Sequence, residues 1–185
     1  MPGGSTGSGL SVQDVRAHPD EVFRALASFE DYVSSIDTVR TVAISSRSGN
    51  NTKARIEVSR FKLKLNVNFT THTPQRFIAW TLDRENPTPF IRECVGYWHV
   101  EDLTHVRPGW SRVWFVVRVR LRPYVPKIIE GLVARVGLRR ATNWIQRLSD
   151  SHARTAAADE RDGEASTLPS AGPRAPASAD AAPKR

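Results

Sequence analysis

The stretch VPKIIEGLVARVGLRRATNWIQRLS, residues 125–149, decides the fold that the sequence predicts. Pro126 lies in the first turn, where a missing backbone N–H leaves no hydrogen bond unmade. Apolar residues then recur at helical spacing: Ile129, Leu132, Val133, Val136, Ala141, Trp144, Ile145 and Leu148. At ~1.5 Å per residue this helix would be roughly 36 Å long. We therefore expect it to cover the whole open face of a small sheet.

Upstream of this helix, several short segments alternate between apolar and polar residues. The clearest is 61–69, where Phe61, Leu63, Leu65, Val67 and Phe69 alternate with Lys and Asn, as in a half-buried antiparallel strand. Further strands are predicted over 10–16, 38–46, 54–58, 76–82, 90–101 and 112–122. Two short helices are predicted between the first two strands, one from Pro19 and one from Glu30.

This order of elements predicts an α+β fold with a helix-grip architecture. A curved antiparallel sheet of about six or seven strands would wrap on the long C-terminal helix, because a meander with one apolar face needs a cover. We expect a flexible Gly/Ser-rich leader over 1–9, one domain over 10–150 and a disordered tail over 151–185. The tail is rich in Ala and Pro, and Leu168 is its only large aliphatic side chain.

The composition argues against several classes of protein. No run of 18 apolar residues is present, so no transmembrane helix is expected. The start MPGGSTGSGL has neither the basic nor the apolar region of a secretory signal, and a cytoplasmic location is the expectation. The single cysteine, Cys94, rules out an intramolecular disulfide framework and a thiolate-rich metal site.

The formal net charge of +8 is concentrated between residues 107 and 147. This stretch contains ten Arg and Lys residues and one acidic residue, Glu130. One interpretation is a solvated surface. The other is attraction to an anionic ligand or to a membrane on which the protein is peripheral, at ~1 kcal/mol per basic residue. The predicted contacts with an anionic surface are Arg118, Arg120, Arg122, Lys127, Arg139 and Arg140.

The pattern Val15-x-Ala17-x-Pro19-x-x-Val22-Phe23-x-x-Leu26-x-x-Phe29-x-x-Tyr32 resembles the opening of the START-like (SRPBCC) superfamily. The later Gly96-x-Trp98 and Arg112-Val113-x-Phe115 resemble motifs of its branch that holds polyketide cyclases/dehydrases and coenzyme Q-binding proteins. The resemblance covers roughly residues 10–150. It implies the helix-grip fold and an internal cavity for a hydrophobic molecule. Its motifs are mostly structural, so they carry fold more than function.

The predicted cavity lining consists of inward strand positions and the apolar stripe of the helix: Leu63, Leu65, Val67, Trp80, Arg92, Trp98, Phe115, Val117, Ile129, Leu132, Val133, Val136 and Trp144. Trp80, Trp98, Phe115 and Trp144 either line the cavity or fill it as core. Strand parity places Arg92 on the inner face, where it would hold a carbonyl, phosphate or carboxylate at the mouth. A bulge near Pro89 would instead turn Arg92 outward.

The sequence contains no catalytic constellation and no metal-binding motif, and we predict no cofactor. Glu93 and His99 share a strand face but lie ~20 Å apart. The leading hypothesis is therefore a non-enzymatic binder or carrier of a lipid, prenylquinone or polyketide. One alternative is a polyketide cyclase or aromatase, with Arg92, Tyr97 and His99 as candidates. Another is a nucleic-acid-binding module, in which bases would stack on the aromatic rings of Trp110 and Trp114 beside Arg118.

Overall fold

The structure, a computed structural model, describes residues 4–58, 63–123, 125, 144–145 and 147. Seven antiparallel strands form one curved sheet in the order β1-β7-β6-β5-β4-β3-β2. The strands are β1 (Thr6–Val15), β2 (Val39–Ser48), β3 (Asn51–Val58), β4 (Leu63–His72), β5 (Phe77–Leu82), β6 (Ile91–Asp102) and β7 (Ser111–Leu121). The predicted meander is confirmed, and its strand count is seven.

Two short helices follow β1, as predicted: α1 (Pro19–Ala27) and α2 (Tyr32–Ser35), with a 3-10 turn over Phe29–Asp31 between them. His18 caps α1 by accepting a hydrogen bond from the Asp20 N–H, and Pro19 occupies the first turn. The buried side of α1 carries Val22, Phe23 and Leu26, which join the core on the inner face of the sheet.

The long helix predicted over 125–149 lies mostly outside the described residues, which include only Trp144, Ile145 and Arg147 of its helical part. Trp144 and Ile145 are buried in the main core. Trp144 packs beside Tyr32, with ring centroids 6.0 Å apart. Arg147 donates hydrogen bonds to the Ser35 carbonyl and the Asp37 carboxylate. These contacts hold this part of the chain against α2.

The first strand begins earlier than predicted, and two of its three apolar residues lie on the outer face. It begins at Thr6, so residues 6–9 belong to the sheet and not to a flexible leader. Val15 is fully buried, and alternation back from it places Gln13, Ser11, Gly9 and Gly7 on the inner face. Leu10 and Val12 consequently point to the outer face, where both are exposed. The predicted tail, residues 151–185, lies outside the described residues.

Candidate functional site

The inner face of the sheet carries two separate groups of buried apolar residues. The larger group lies under α1 and α2 and includes Trp98 and Phe115, whose ring centroids are 4.2 Å apart. The smaller group consists of Ile91, Cys94 and Leu121 and lies near the start of β6 and the end of β7. Four side chains pack against both groups and are only half-buried: Leu65, Trp80, Leu82 and Val117. We call these four residues the inner belt.

Strand register explains how Trp80 comes to lie in the inner belt. Trp80 on β5 is opposite Gly96 on β6, which in turn is opposite Val117 on β7. A Cβ atom at Gly96 would fall under 3.0 Å from the Trp80 ring and from the Val116 carbonyl oxygen. The missing side chain therefore lets the indole lie across β6. There it reaches Phe115, with centroids 6.4 Å apart and ring planes inclined by 19°.

The inner belt continues onto β1 through residues that have no side chain. Val117 is opposite Gly9, and Val119 is opposite Gly7. A Cβ atom at Gly7 would meet nothing within 4 Å, so the space next to Gly7 is open. Next to the glycines, Ser11 is opposite Phe115, and the Gln13 amide donates a 3.4 Å hydrogen bond to the Ser11 hydroxyl. An apolar surface thus adjoins one polar pair.

Among the described residues, the inner positions of β1, β3, β4, β5 and β7 carry no ionisable side chain. On β6, the inner positions between Ile91 and Val100 carry one, the thiol of Cys94. Burial raises the pKa of the Cys94 thiol to about 12, and the charge of Glu93 adds to the rise. Cys94 is thus a neutral, apolar part of the site at ordinary pH. The site is suited to hold an uncharged, apolar molecule.

The predicted lining residues fall into three sets. Seven of them occupy inner positions of the sheet: Leu63, Leu65, Val67, Trp80, Trp98, Phe115 and Val117. Val67, Trp98 and Phe115 are buried in the larger core group, so they support the site more than they face it. Trp144 is buried against Tyr32. Four predicted lining residues lie outside the described residues: Ile129, Leu132, Val133 and Val136.

Arg92 is exposed, because the register of β6 against β7 shifts between Ile91 and Glu93. Ile91 is opposite Leu121, whereas Glu93 is opposite Arg120. The extra residue in β6 breaks the alternation on which an inward Arg92 depends. The bulge considered from the sequence is therefore present, while a role for Arg92 in binding a ligand stays a prediction.

The predicted cationic surface is described only in part. Arg118, Arg120 and Arg122 are exposed at the end of β7, and strand alternation places Arg118 and Arg120 on the outer face. Arg118 lies 3.4 Å from the Glu93 carboxylate, and Arg122 donates to the Thr88 carbonyl. Lys127, Arg139 and Arg140 lie outside the described residues.

Sequence reasoning missed Gly7, Gly9, Leu82, Cys94 and Val119 as neighbours of the site. Leu82 follows from the alternation of β5, which already placed Ile78 and Trp80 inward. The positions of Gly7 and Gly9 next to the site follow from the register of β1 against β7, and the local sequence pattern does not predict this register. Counting back by two from the buried Val15 would have found them.

A second recess of about 350 Å³ lies on the outer face, between β2, β3, β4 and the loop after β5. Its lining mixes small and aliphatic residues such as Ala43, Ile44 and Val67 with polar and charged residues: Lys53, Arg55, Asn68, Asp83 and Glu85. Several of its groups already bond to each other, as Arg55 does to Asn66 and Asn86 to Asp83. It has the character of a solvated surface groove and not of an apolar binding site.

No protein-family model matches the sequence, and no curated relative matches it either. Solved structures do match. The Zhui aromatase/cyclase from Streptomyces sp. R1128 is 15% identical, with a TM-score of 0.71, over 82% of this chain and 98% of that one. A START superfamily protein from Mycobacterium smegmatis is 14% identical, with a TM-score of 0.63, over 78% and 97%.

The chain has a START-like fold. Norcoclaurine synthase from Thalictrum flavum shares it, at 12% identity and a TM-score of 0.62, over 82% of this chain and 99% of that one. These identities establish the START-like architecture alone, because one fold supports many activities. The family resemblance seen in the opening motif is confirmed at the level of the fold.

Proposed function

We propose that this START-like chain binds a hydrophobic small molecule against the inner belt and acts as a binder or carrier. The observation that carries the proposal is the belt itself: four half-buried apolar side chains lie between two buried groups, and the described inner positions around them carry no ionised side chain. A lipid, a prenylquinone and a polyketide-like molecule are the candidate classes.

The energetics of the inner belt favour a ligand with a long or flat apolar body. Each methylene removed from water contributes about 0.8 kcal/mol, so such a ligand needs few polar contacts. The Trp80 ring offers a flat surface next to Phe115. Ser11 and Gln13 would receive an oxygen atom of the ligand, because a hydroxyl and an amide both donate and accept hydrogen bonds.

A cyclase or aromatase is the second candidate, and it is favoured by the likeness to the Zhui aromatase/cyclase. Such an enzyme needs a proton donor or acceptor at the substrate. Tyr97 and His99 lie on the outer face of β6, and Arg92 is exposed at the bulge. Ser11 and Gln13 remain as polar groups near the described site, and neither is a strong acid or base. This arrangement favours a binder over an enzyme.

The exposed end of β7 supports a further part of the proposal, contact with an anionic membrane surface. Arg118, Arg120 and Arg122 are exposed at the end of β7 where Leu121 is buried, so a bilayer that attracts them would lie at this end of the sheet. The described residues contain no helix that is long and apolar enough to cross a bilayer. The proposed contact is electrostatic, because it depends on these three guanidinium groups.

The nucleic-acid alternative has weaker support. The Arg107 guanidinium covers the Trp110 ring, 3.5 Å from its centroid, which occupies one face that a base would stack on. Trp114 is half-buried, and its indole N–H donates to Glu101.

The proposal is tested by identifying what co-purifies with the full chain. Native mass spectrometry of the purified protein, followed by solvent extraction, should give a bound species heavier than solvent ions and soluble in organic solvent. A delipidated sample should then take up a fluorescent fatty acid. Protein that is always empty and takes up neither a fluorescent fatty acid nor a prenylquinone would contradict the proposal. Turnover of a polyketide-like substrate would favour the second candidate.

A further inference from the structure

The two edge strands of the sheet differ in how they are protected against pairing with another strand. β2 carries Arg40 and Arg47, and its register shifts twice, between Val39 and Thr41 and between Ile44 and Ser46. Such charges and irregularities are the usual protection of an edge. β1 pairs with β7 without a shift over all ten of its residues. Between Thr6 and Gln13 it contains no charged residue and no Pro.

The outer side of β1 is also unusually apolar for an exposed strand. Leu10 is 57% exposed and Val12 is 42% exposed, which makes them two of the four exposed large hydrophobic residues in the described part of the chain. No described strand pairs with the free edge of β1. Within the described part of the chain, this edge therefore has no strand partner and lies next to exposed apolar side chains.

The apolar surface extends from this edge across the neighbouring strands. Leu10 is opposite Val116, which is opposite Tyr97, while Val12 is opposite Trp114. Farther along, Phe77 packs on Tyr97 with ring centroids 5.1 Å apart. All of these side chains lie on the outer face, away from the inner belt, so the proposed ligand site does not explain them.

We propose that β1 is a homodimer interface, at which β1 of a second copy pairs antiparallel with it about a two-fold axis at Ser11. This register sets Leu10 against Val12 of the other copy, and Val12 against Leu10, so both exposed residues are covered by one symmetric contact. The sheets of the two copies then form one continuous sheet, and the apolar surfaces of their outer faces meet.

Charge permits a second copy at this edge in spite of the net charge of +8. The central part of β1 carries no charge, so no like charges face each other across the axis. At the end of the strand, Asp14 would be opposite Ser8 of the second copy, whose neighbour on β7 is Arg118. Asp14 is already paired with Arg112 of its own copy and Arg118 with Glu93, so this register places no uncompensated charge at the strand ends.

Sedimentation velocity on the full chain, from low to high micromolar concentration, tests the interface. We expect wild type to dimerise and Leu10→Lys/Val12→Lys to associate at least about tenfold more weakly, because pairing would desolvate two ammonium groups of each copy, four in all. The matched control is Val33→Lys/Val106→Lys, at the other exposed large hydrophobic residues, 44% and 74% exposed. It should dimerise like wild type.

Cysteine cross-linking tests the position of the axis. Ser11→Cys should form an intermolecular disulfide under mild oxidation, because residues opposite each other across a two-fold axis lie within disulfide distance. Ser8→Cys lies about 20 Å from its own copy in this register and should stay monomeric on a non-reducing gel. Cys94 is buried and serves as an internal blank.

Three outcomes would overturn the proposal. Wild type could stay monomeric at all concentrations. Leu10→Lys/Val12→Lys could dimerise as strongly as wild type while both keep the same circular dichroism spectrum. Cross-linking could be faster through Ser8→Cys than through Ser11→Cys. The first two outcomes do not bear on the proposed ligand site, because Leu10 and Val12 lie on the outer face of the sheet. Ser11 lies on the inner face, so Ser11→Cys is used only to locate the axis.

Discussion

Gly96 and Trp80 show how the missing side chain of one residue positions the ring of another. The indole of Trp80 occupies the space that a side chain at position 96 would need, and the Val116 carbonyl closes the space from the other side. Because backbone atoms of β7 cannot retreat without disturbing their pairing, this contact has little freedom to relax. The half-buried surface of Trp80 therefore depends directly on Gly96.

We predict that Gly96→Ala lowers the free energy of unfolding by about 1–3 kcal/mol, the usual cost of forcing an extra carbon into a packed site. Urea denaturation measures the change. Gly7→Ala is the matched control, because a Cβ atom there meets nothing within 4 Å. It should be neutral or stabilise by up to about 1 kcal/mol, through a less flexible unfolded chain. Equal effects at both positions would contradict the close packing of Trp80 on β6.

Burial of Cys94 gives a pH dependence with a defined sign. The pKa of the thiol rises from 9.0 to about 12 on folding. Below pH 9 both states keep the proton, whereas above it the unfolded chain loses the proton first. The free energy of unfolding should therefore fall as pH rises above about 9. Cys94→Ala should flatten this fall between pH 9 and pH 10, as followed by urea denaturation. If the free energy of unfolding fell equally steeply with pH in Cys94→Ala and in wild type, the Cys94 thiol would be exposed to solvent and not buried.

At the scale of elements, the regular strands were predictable and the irregular ones were not. β4 alternates cleanly, and Leu63, Leu65, Val67 and Phe69 all point inward as expected. In β1 the apolar residues Leu10, Val12 and Val15 do not share one parity, so the pattern alone did not say which of them faces the core. The pairing of the whole strand with β7 decides it.

The bulge in β6 is the second place where local pattern was insufficient. Alternation counted back from Trp98 puts Arg92 inward, but one extra residue opposite β7 reverses the parity at the strand end. The site was therefore predictable where strands are regular, as at Trp80 and Val117, and not at the ends of β1 and β6. Its helical side, from Ile129 to Val136, stays a prediction because it lies outside the described residues.

The junction of α1 and α2 depends on one buried hydrogen bond. The Tyr32 hydroxyl donates to the Leu26 carbonyl over 2.6 Å, while its ring packs on Phe29 and Trp144. We predict that Tyr32→Phe lowers the free energy of unfolding by about 1–2 kcal/mol, because a buried carbonyl loses its partner. Tyr97→Phe, on the outer face, should cost less than about 0.5 kcal/mol. Similar losses for both variants in thermal unfolding would contradict this account.

At the scale of the whole molecule, the position of charge matters more than its sum. If the end of β7 contacts an anionic bilayer, Arg118→Glu/Arg120→Glu should weaken binding to phosphatidylserine vesicles by more than about tenfold. Arg24→Glu/Arg40→Glu changes the net charge equally at two other exposed positions and should have little effect. Vesicle sedimentation at physiological salt measures both. Equal losses would mean a non-specific attraction of the whole protein.

The central claim is that a hydrophobic molecule lies on the inner belt, and two tryptophan variants test it most directly. The measurement is the equilibrium affinity of the delipidated full chain for a fluorescent fatty acid. Trp80→Ala removes the largest half-buried side chain of the belt, whereas Trp110→Ala removes the same side chain from the loop between β6 and β7. We predict at least about tenfold weaker binding for Trp80→Ala, from the apolar contact area lost, and wild-type affinity for Trp110→Ala. Equal affinities for both variants and wild type would contradict the claim.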